Sequence, residues 1–379
     1  MKRILKAMFR YMRQSDMLLL LLCTAATVFG IVLISSATRT EGGSYMAVQF
    51  IALVLGIVLY IIFSLIDIDI IAGKSRLLYI ISVVLICTLF VWGEAGDSGN
   101  RAWIRFGIIG IQPAEIVKIP FIIIIAQMIN TYKDSRTLTS PLSILKLVAV
   151  FGFLFMLILV SSADLGSALV YVFVFAVVLF VGGVQLRWFV IGIGLVAAAA
   201  PFVWTRFLSD YQRDRILAPY NPSIDESGLG ILWQTNLSKS AISGGGFFGQ
   251  GLFHGSMTQA DIVPQQHTDF IYSVAGEELG FAGCLVILIL LLAIIGRCIY
   301  VGVRSNSTLG ALVCSGIAAM LIAQTFENIG MCLGLTPVIG LTLPFFSYGG
   351  SSIITMFAAM GIVSGIKMRP RPARFGTYR

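Results

Sequence analysis

A histidine and three carboxylates fall within residues 264–280, PQQHTDFIYSVAGEELG, just ahead of a long apolar run. Carboxylates and imidazoles at the edge of an apolar segment can accept a proton, steady a developing charge or hold a cation. The same residues can also do less, since His267, Thr268 and Asp269 fit a helix cap. On a regular helix, at about 100° per residue, Glu277 would lie about 80° from Asp269 and Glu278 opposite it. One of the two could share a cavity with Asp269, or both could project into water if the helix overshoots the membrane. A second constellation opens the segment QPAEIVK, where Glu115 and Lys118 stand three apart on one helical face inside an apolar run. A lone ammonium there would be costly, so Lys118 requires a carboxylate partner or an anionic ligand. Asp164, in SSADLGSALV, suits the cap of a tight interhelical turn, and Glu327 with Asn328 interrupts another apolar stretch in a way that points to the bundle interior.

The elements that must carry these groups are membrane helices. The chain has 379 residues, 58% hydrophobic and 12% charged, with a mean hydropathy of +0.93; a soluble domain carries roughly a quarter charged residues. Charge-poor runs long enough to cross a bilayer begin near Met17, Tyr45, Leu77, Pro113, Leu142, Leu165, Trp188, Phe270, Leu309 and Ser351. The expected fold is therefore an all-α integral membrane protein, one polytopic domain over 1–379 with about ten transmembrane helices. The basic stretch before the first run resembles a signal peptide, but its apolar part is too long and further spans follow, so it reads as a retained helix.

With the N-terminus placed in the cytoplasm, short loops on that side receive Lys2, Lys6, Arg10, Lys74, Arg76, Lys133, Arg136, Arg187 and Arg304, and a short basic tail over 368–379 completes the bias. Both termini are then cytoplasmic. The net charge of +8 reflects this topology rather than a nucleic-acid partner. One large extracellular loop, 207–268, is expected between helices 7 and 8, carrying Arg213, Arg215 and Lys239. Smaller outward segments span 93–112 and 336–352. The six cysteines lie in or at the ends of spans, which indicates neither a disulfide framework nor a CxxC metal site. His254, Asp261, His267 and Asp269 do not specify a transition-metal site, so no metal ligands are assigned, although carboxylates and a phosphate leave room for a hard divalent ion such as Mg or Mn. SGGGFFGQG follows no strand and lacks the Walker lysine, so it reads as a flexible loop or a close backbone approach rather than a nucleotide loop.

In order, GNRAWIRFG, QPAEIVK, DLGSALV, QRDRI followed by NP, SGGGFFGQG, PQQHTDFIYSVAGEELG and FENIGMCLGLTPVIGLTLPFFSYGGSS resemble the shape, elongation, division and sporulation family, that of RodA and FtsW. The resemblance covers nearly the whole chain. It implies a bacterial cytoplasmic-membrane protein that polymerises lipid II into glycan strands on the outer face, releases undecaprenyl pyrophosphate and works with a class B penicillin-binding transpeptidase. The absence of long terminal extensions leans towards the RodA type. The family's essential aspartate falls on Asp269, and Trp103, Glu115, Lys118, Asp164 and Glu277 match motif positions. Two departures are Ser162-Ala163, where Gln-Pro is usual, and Gln265, where a glutamate is frequent.

Such a reaction needs a base for the acceptor hydroxyl and positive charge for the leaving pyrophosphate. Asp269 is expected in the first role, its carboxyl raised by the membrane edge or by Glu277, and Lys118, Arg213, Arg215 or a divalent cation in the second, with His267 in support. A single displacement accounts for inversion at the anomeric carbon without a covalent intermediate. The competing reading is a lipid II flippase or transporter, with Glu115, Lys118, Asp164 and Glu327 lining a polar path.

Overall fold

The computed structural model describes residues 11–39, 43–94, 101–106, 109–206 and 208–369. Lys2, Lys6, Arg10 and the basic tail from 370 onward lie outside the described residues.

A bilayer core offers no hydrogen-bond partners, so a chain this apolar satisfies its backbone within helices. The first, α1 (Met17–Ala37), is followed by α2 (Ser44–Leu65), the short α3 (Ile68–Gly73), and α4 (Ser75–Cys87) with α5 (Leu89–Trp92), which together form one apolar pass. A two-stranded hairpin, β1 (Ile104–Phe106) and β2 (Ile109–Ile111), pairs Ile104 with Ile111 in antiparallel register. It feeds α6 (Pro113–Asp134), with proline in the first turn where its missing N–H costs nothing. Next come α7 (Pro141–Ser162), α8 (Leu165–Val181) and α9 (Leu186–Arg206). The long connection that follows is folded, with α10 (Asp210–Leu217), α11 (Trp233–Gly245), α12 (Ser256–Gln259) and α13 (Ile271–Glu278). The last passes are α14 (Gly280–Arg304), α15 (Thr308–Leu333) and α16 (Gly350–Met368).

Among the described residues, nine helices are long and apolar enough to cross a membrane, and the 17-residue α8 is a shorter apolar helix beside them. The eighth pass does not begin near Phe270 as the apolar run suggests. The chain breaks at Leu279, where Gly280 adopts φ +67°, so α13 is a separate buried helix and the pass starts at Gly280.

Burial is graded around α15 and α16, whose most apolar stretches are 72% and 83% buried, whereas α9 has no fully buried residue and touches the core only through partly buried side chains such as Trp188 and Phe189. The α2–α16 contact is close because glycines sit on it. A Cβ on Gly361 would come within 2.5 Å of the Tyr60 carbonyl oxygen, and one on Gly365 within 2.8 Å of that of Ser64.

One end of the bundle is fastened through Asp16. Its fully buried carboxylate caps α1 by accepting from Leu19 N at 3.3 Å and meets Arg297 Nε at 2.7 Å and Lys367 Nζ at 3.4 Å. Tyr60 Oη donates to the Asp16 carbonyl at 2.7 Å, and Asp16 N donates to Ser364 Oγ at 2.9 Å. Four helices, α1, α2, α14 and α16, thus meet at one residue. Asp16→Ala would leave two cations facing an apolar gap, and a loss of about 3 kcal/mol is expected, at the low end for broken buried pairs because both cations are partly exposed. Thermal unfolding in detergent measures it. Ser36, near the far end of α1, lies about 30 Å away along the helix and belongs to the opposite face.

Candidate functional site

At that opposite face the chain from α12 to α13 turns sharply. Gln265 takes a left-handed φ of +52°, and its carbonyl accepts from the amides of Thr268, Asp269 and Phe270 at 3.1 to 3.2 Å. The next carbonyls are held one by one. That of His267 accepts from Tyr348 N at 2.9 Å, that of Thr268 from Ser347 Oγ at 2.5 Å and that of Asp269 from Asn328 Nδ2 at 2.7 Å. The backbone around Asp269 is thereby fixed by α15 and by the segment before α16, while its carboxylate stays free of those bonds. Gln49 of α2 secures that segment in turn, donating to Ser347 O at 3.0 Å and accepting from Gly349 N at 3.2 Å.

Asp269 is half-buried, and its carboxylate faces Gly340, where a Cβ would stand 3.4 Å from Oδ2. Burial pushes its carboxyl up from the ordinary 3.8 to about 6; the charge of Asp164 adds to the rise and that of Arg215 opposes it. The expectation of a raised value holds, with burial and Asp164 as its causes rather than Glu277.

Asp164 does cap a helix, as its position suggests. It accepts from Ser167 N at 2.9 Å and Ser167 Oγ at 2.7 Å at the start of α8, after Ala163 turns the chain through φ +54°. It also receives Gln112 Nε2 at 3.0 Å, the residue that joins the hairpin to α6. One turn into α6, Glu115 and Lys118 form a buried ion pair, and Gln324 Nε2 of α15 lies 3.4 Å from each Glu115 oxygen. Tyr171 Oη anchors α8 to α6 by donating to Ala114 O at 2.7 Å. Lys118 and Glu115 are close enough to act on the charge of Asp164, and Asp164 acts on Asp269. Glu115, Lys118, Asp164 and Asp269 therefore form one electrostatically connected group.

Glu277 and Glu278 are neither wet nor beside Asp269. Both are fully buried. Glu277 accepts from Met257 N at 2.7 Å, Thr258 N at 2.9 Å, Thr258 Oγ1 at 2.6 Å and Ser256 Oγ at 3.2 Å, which fastens α12. Glu278 Oε1 accepts from Ser36 Oγ at 2.7 Å and Gln259 Nε2 at 3.0 Å, tying the loop to α1. Both carboxylates thus hold the loop that precedes Asp269. SGGGFFGQG makes a close backbone approach rather than a loose loop: Gln250 N and Gly251 N donate to the carbonyls of Glu277 and Glu278 at 2.9 Å. A Cβ on Gly249, which has φ +81°, would stand 2.1 Å from Glu278 O. Gly249→Ala is expected to cost about 3 kcal/mol from backbone strain and overlap together, read as a lower unfolding temperature.

The remaining predicted residues divide. His267 packs in an aromatic cluster, its ring 4.9 Å from Tyr45 and 5.7 Å from Tyr348. Trp103 forms an isolated antiparallel bridge with Glu94, just before the hairpin, and covers Gly110 within it. Arg213 is engaged elsewhere: it donates to Trp204 O, Thr205 O and Asp210, closing the end of α9. Arg215 is the loop arginine whose charge reaches Asp269. Glu327 is half-exposed, and its neighbour Asn328 is the fully buried one. Gln324 and Asn328 escaped the sequence reading as site residues, although two amides four apart in an apolar helix were the signal.

The arrangement does not fit a divalent ion held by protein ligands alone. Among the described residues no group of three or more His, Cys, Asp or Glu side chains could hold one, and Glu115 and Asp164 already face Lys118, Gln324, Gln112 and Ser167.

The family described as FTSW_RODA_SPOVE, cell cycle protein, matches residues 14–371. The chain belongs to this family. Among its relatives within the FtsW/RodA/SpoVE family is "Peptidoglycan glycosyltransferase MrdB" of Escherichia coli (strain K12), 34% identical over 352 residues that cover 93% of each chain. "Probable peptidoglycan glycosyltransferase FtsW" of Trichlorobacter lovleyi is 35% identical over 98% of each. A chain solved in work on the structural coordination of polymerization and crosslinking by a peptidoglycan synthase complex superposes with a TM-score of 0.77 at 31% identity, covering 93% of this chain and 97% of that one. The rod shape determining protein RodA of Thermus thermophilus gives a TM-score of 0.66 at 27% identity over 93% and 96%. The FtsW/RodA/SpoVE fold thus extends over nearly the whole chain, as a multi-pass membrane protein.

Proposed function

We propose that this chain is a peptidoglycan glycosyltransferase that polymerises lipid II at the outer face of the bacterial cytoplasmic membrane, with both termini inside. The observation that carries the reading is the half-buried Asp269, held by its backbone and linked electrostatically through Asp164 to the Glu115–Lys118 pair. The names of its relatives supply the reaction class.

In this reading the acceptor sugar hydroxyl gives its proton to the Asp269 carboxylate as its oxygen attacks the anomeric carbon of the donor. The bond from that carbon to the pyrophosphate oxygen breaks, and the electron pair leaves with undecaprenyl pyrophosphate. A carboxyl raised to about 6 is still mostly ionised at neutral pH and is a better base than an ordinary aspartate. Lys118 and Arg215 supply positive charge for the departing oxygen, while Arg213 is withdrawn from that role by its bonds to the end of α9.

A carrier is the weaker reading, because the buried charges do not line a path. Asp16 sits at one end of the bundle and Glu115, Lys118 and Asp164 at the other, while α6 buries only apolar side chains over 121–126 and α15 does the same over 316–321. A class B penicillin-binding protein is the partner we assign, in keeping with a structural neighbour solved within a synthase complex. The test is to supply the purified chain and its partner with labelled lipid II and follow undecaprenyl pyrophosphate. Release in step with strand growth is expected; the absence of both products from folded, partner-bound protein defeats the assignment.

A further inference from the structure

Two amide side chains of α15 connect the halves of the site. Gln324 reaches both oxygens of Glu115 at 3.4 Å, and Asn328, one turn on and on the same face, donates to the carbonyls of Asp269 and Leu341 at 2.7 Å each. Both side chains are fully buried, and among the described residues Gln324 Oε1 and Asn328 Oδ1 have no hydrogen-bond partner. Buried amide oxygens without donors are costly, and such groups persist where another constraint holds them. The donor ends show the constraint. One grips the carboxylate paired with Lys118, the other the backbone that carries Asp269.

We propose that Gln324 and Asn328 are positioning residues that use α15 as a rigid spacer, setting the distance between the Lys118 ammonium and the Asp269 carboxylate. Four residues of helix span about 6 Å, and neither amide is in the sequence neighbourhood of the groups it holds. The inference rests on the glycosyltransferase reading, in which base and cation must face the same glycosidic bond. Misplacement of reacting groups by about 1 Å costs on the order of a hundredfold in rate.

Asn328→Ala removes the amide bond from α15 to the Asp269 carbonyl, leaving the weak Cys332 thiol contact to it and the bonds of Ser347 and Tyr348 to the two preceding carbonyls. The groups bearing on the Asp269 carboxylate are Asp164 from α8 and Arg215 from α10, while the Cys332 thiol contacts its carbonyl. A loosened loop admits water and moves the carboxylate away from Asp164. Both changes bring the acid limb of the pH–rate profile down towards the ordinary aspartate range.

The experiment measures lipid II polymerisation by the reconstituted full chain with its transpeptidase, across pH 4 to 8, for wild type, Asn328→Ala, Gln324→Leu and Asp269→Asn. For Asn328→Ala the expected result is a kcat lower by about a hundredfold, KM within a few-fold and an acid limb at lower pH. Gln324→Leu, which keeps size and helix, is expected to lose kcat similarly while its limb stays in place, because it grips Glu115 and not Asp269. A fall in activity that only tracks the folded fraction, with unmoved limb and recovery on normalising for folded protein, would overturn the proposal. Should Asn328→Ala not fold, Gln324→Leu decides alone through its KM-against-kcat split. Full activity of Asp269→Asn would instead sink the underlying reading, whatever the α15 variants do.

Discussion

Asp269→Asn is expected to lower the rate of glycan polymerisation about a thousandfold, the middle of the range for removing a general base. The amide is the same size and cannot take the hydroxyl proton. The backbone of residue 269 is held through its carbonyl by Asn328, and those of 267 and 268 by Tyr348 and Ser347, so the loop keeps its shape and substrate affinity changes little. In the wild type, activity should rise with pH through about 6, where Asp269 ionises. Stability runs the other way. A carboxyl raised from 3.8 in the fold stabilises it most while protonated, a contribution present below 3.8 and lost as pH rises through about 6. The asparagine variant should therefore unfold at a higher temperature than the wild type at pH 7.5, and the gap should close near pH 4. Initial rates and unfolding temperatures across that window check both halves.

Lys118→Met should have the second largest effect, and it should act twice. It leaves the buried Glu115 carboxylate without its cation, with Gln324 at 3.4 Å as its remaining donor, a loss of about 3 to 5 kcal/mol. It also removes positive charge from the leaving pyrophosphate, at a cost of about a hundredfold or more in rate. The double variant Lys118→Met with Glu115→Gln separates the two effects. With no buried charge left unpaired, it is expected to recover most of the unfolding temperature and little of the rate. If the rate returned together with stability, Lys118 would be a structural partner of Glu115 and nothing more.

The parts of this site that were legible in the sequence are those whose reasons are local. Lys118 three residues after Glu115 in an apolar run demanded a pair, and Asp164 before Leu-Gly-Ser offered a cap; both are found. The passes were legible because charge is scarce in them. The break at Leu279 was not, because the apolar pattern runs unbroken across it and only the packing of Gly280 against Gly249 and Phe247 requires a kink. Glu277 and Glu278 stayed open between a cavity shared with Asp269 and water for the same reason: their partners lie 19 or more residues away, at α12 and in α1. Arg213 carried a charge of the right sign, yet its fold-back onto α9 depends on tertiary geometry. In each failure a distant backbone group decided what a local pattern left open.

The central claim is that this chain builds polymer rather than moving lipid. The most direct measurement places it with its transpeptidase, crosslinking blocked, in vesicles whose lipid II is labelled, and follows glycan strands and leaflet distribution together. The account predicts strands from the wild type, none from Asp269→Asn, and no translocation that depends on Asp269. Translocation by the wild type with no strand formed would contradict it.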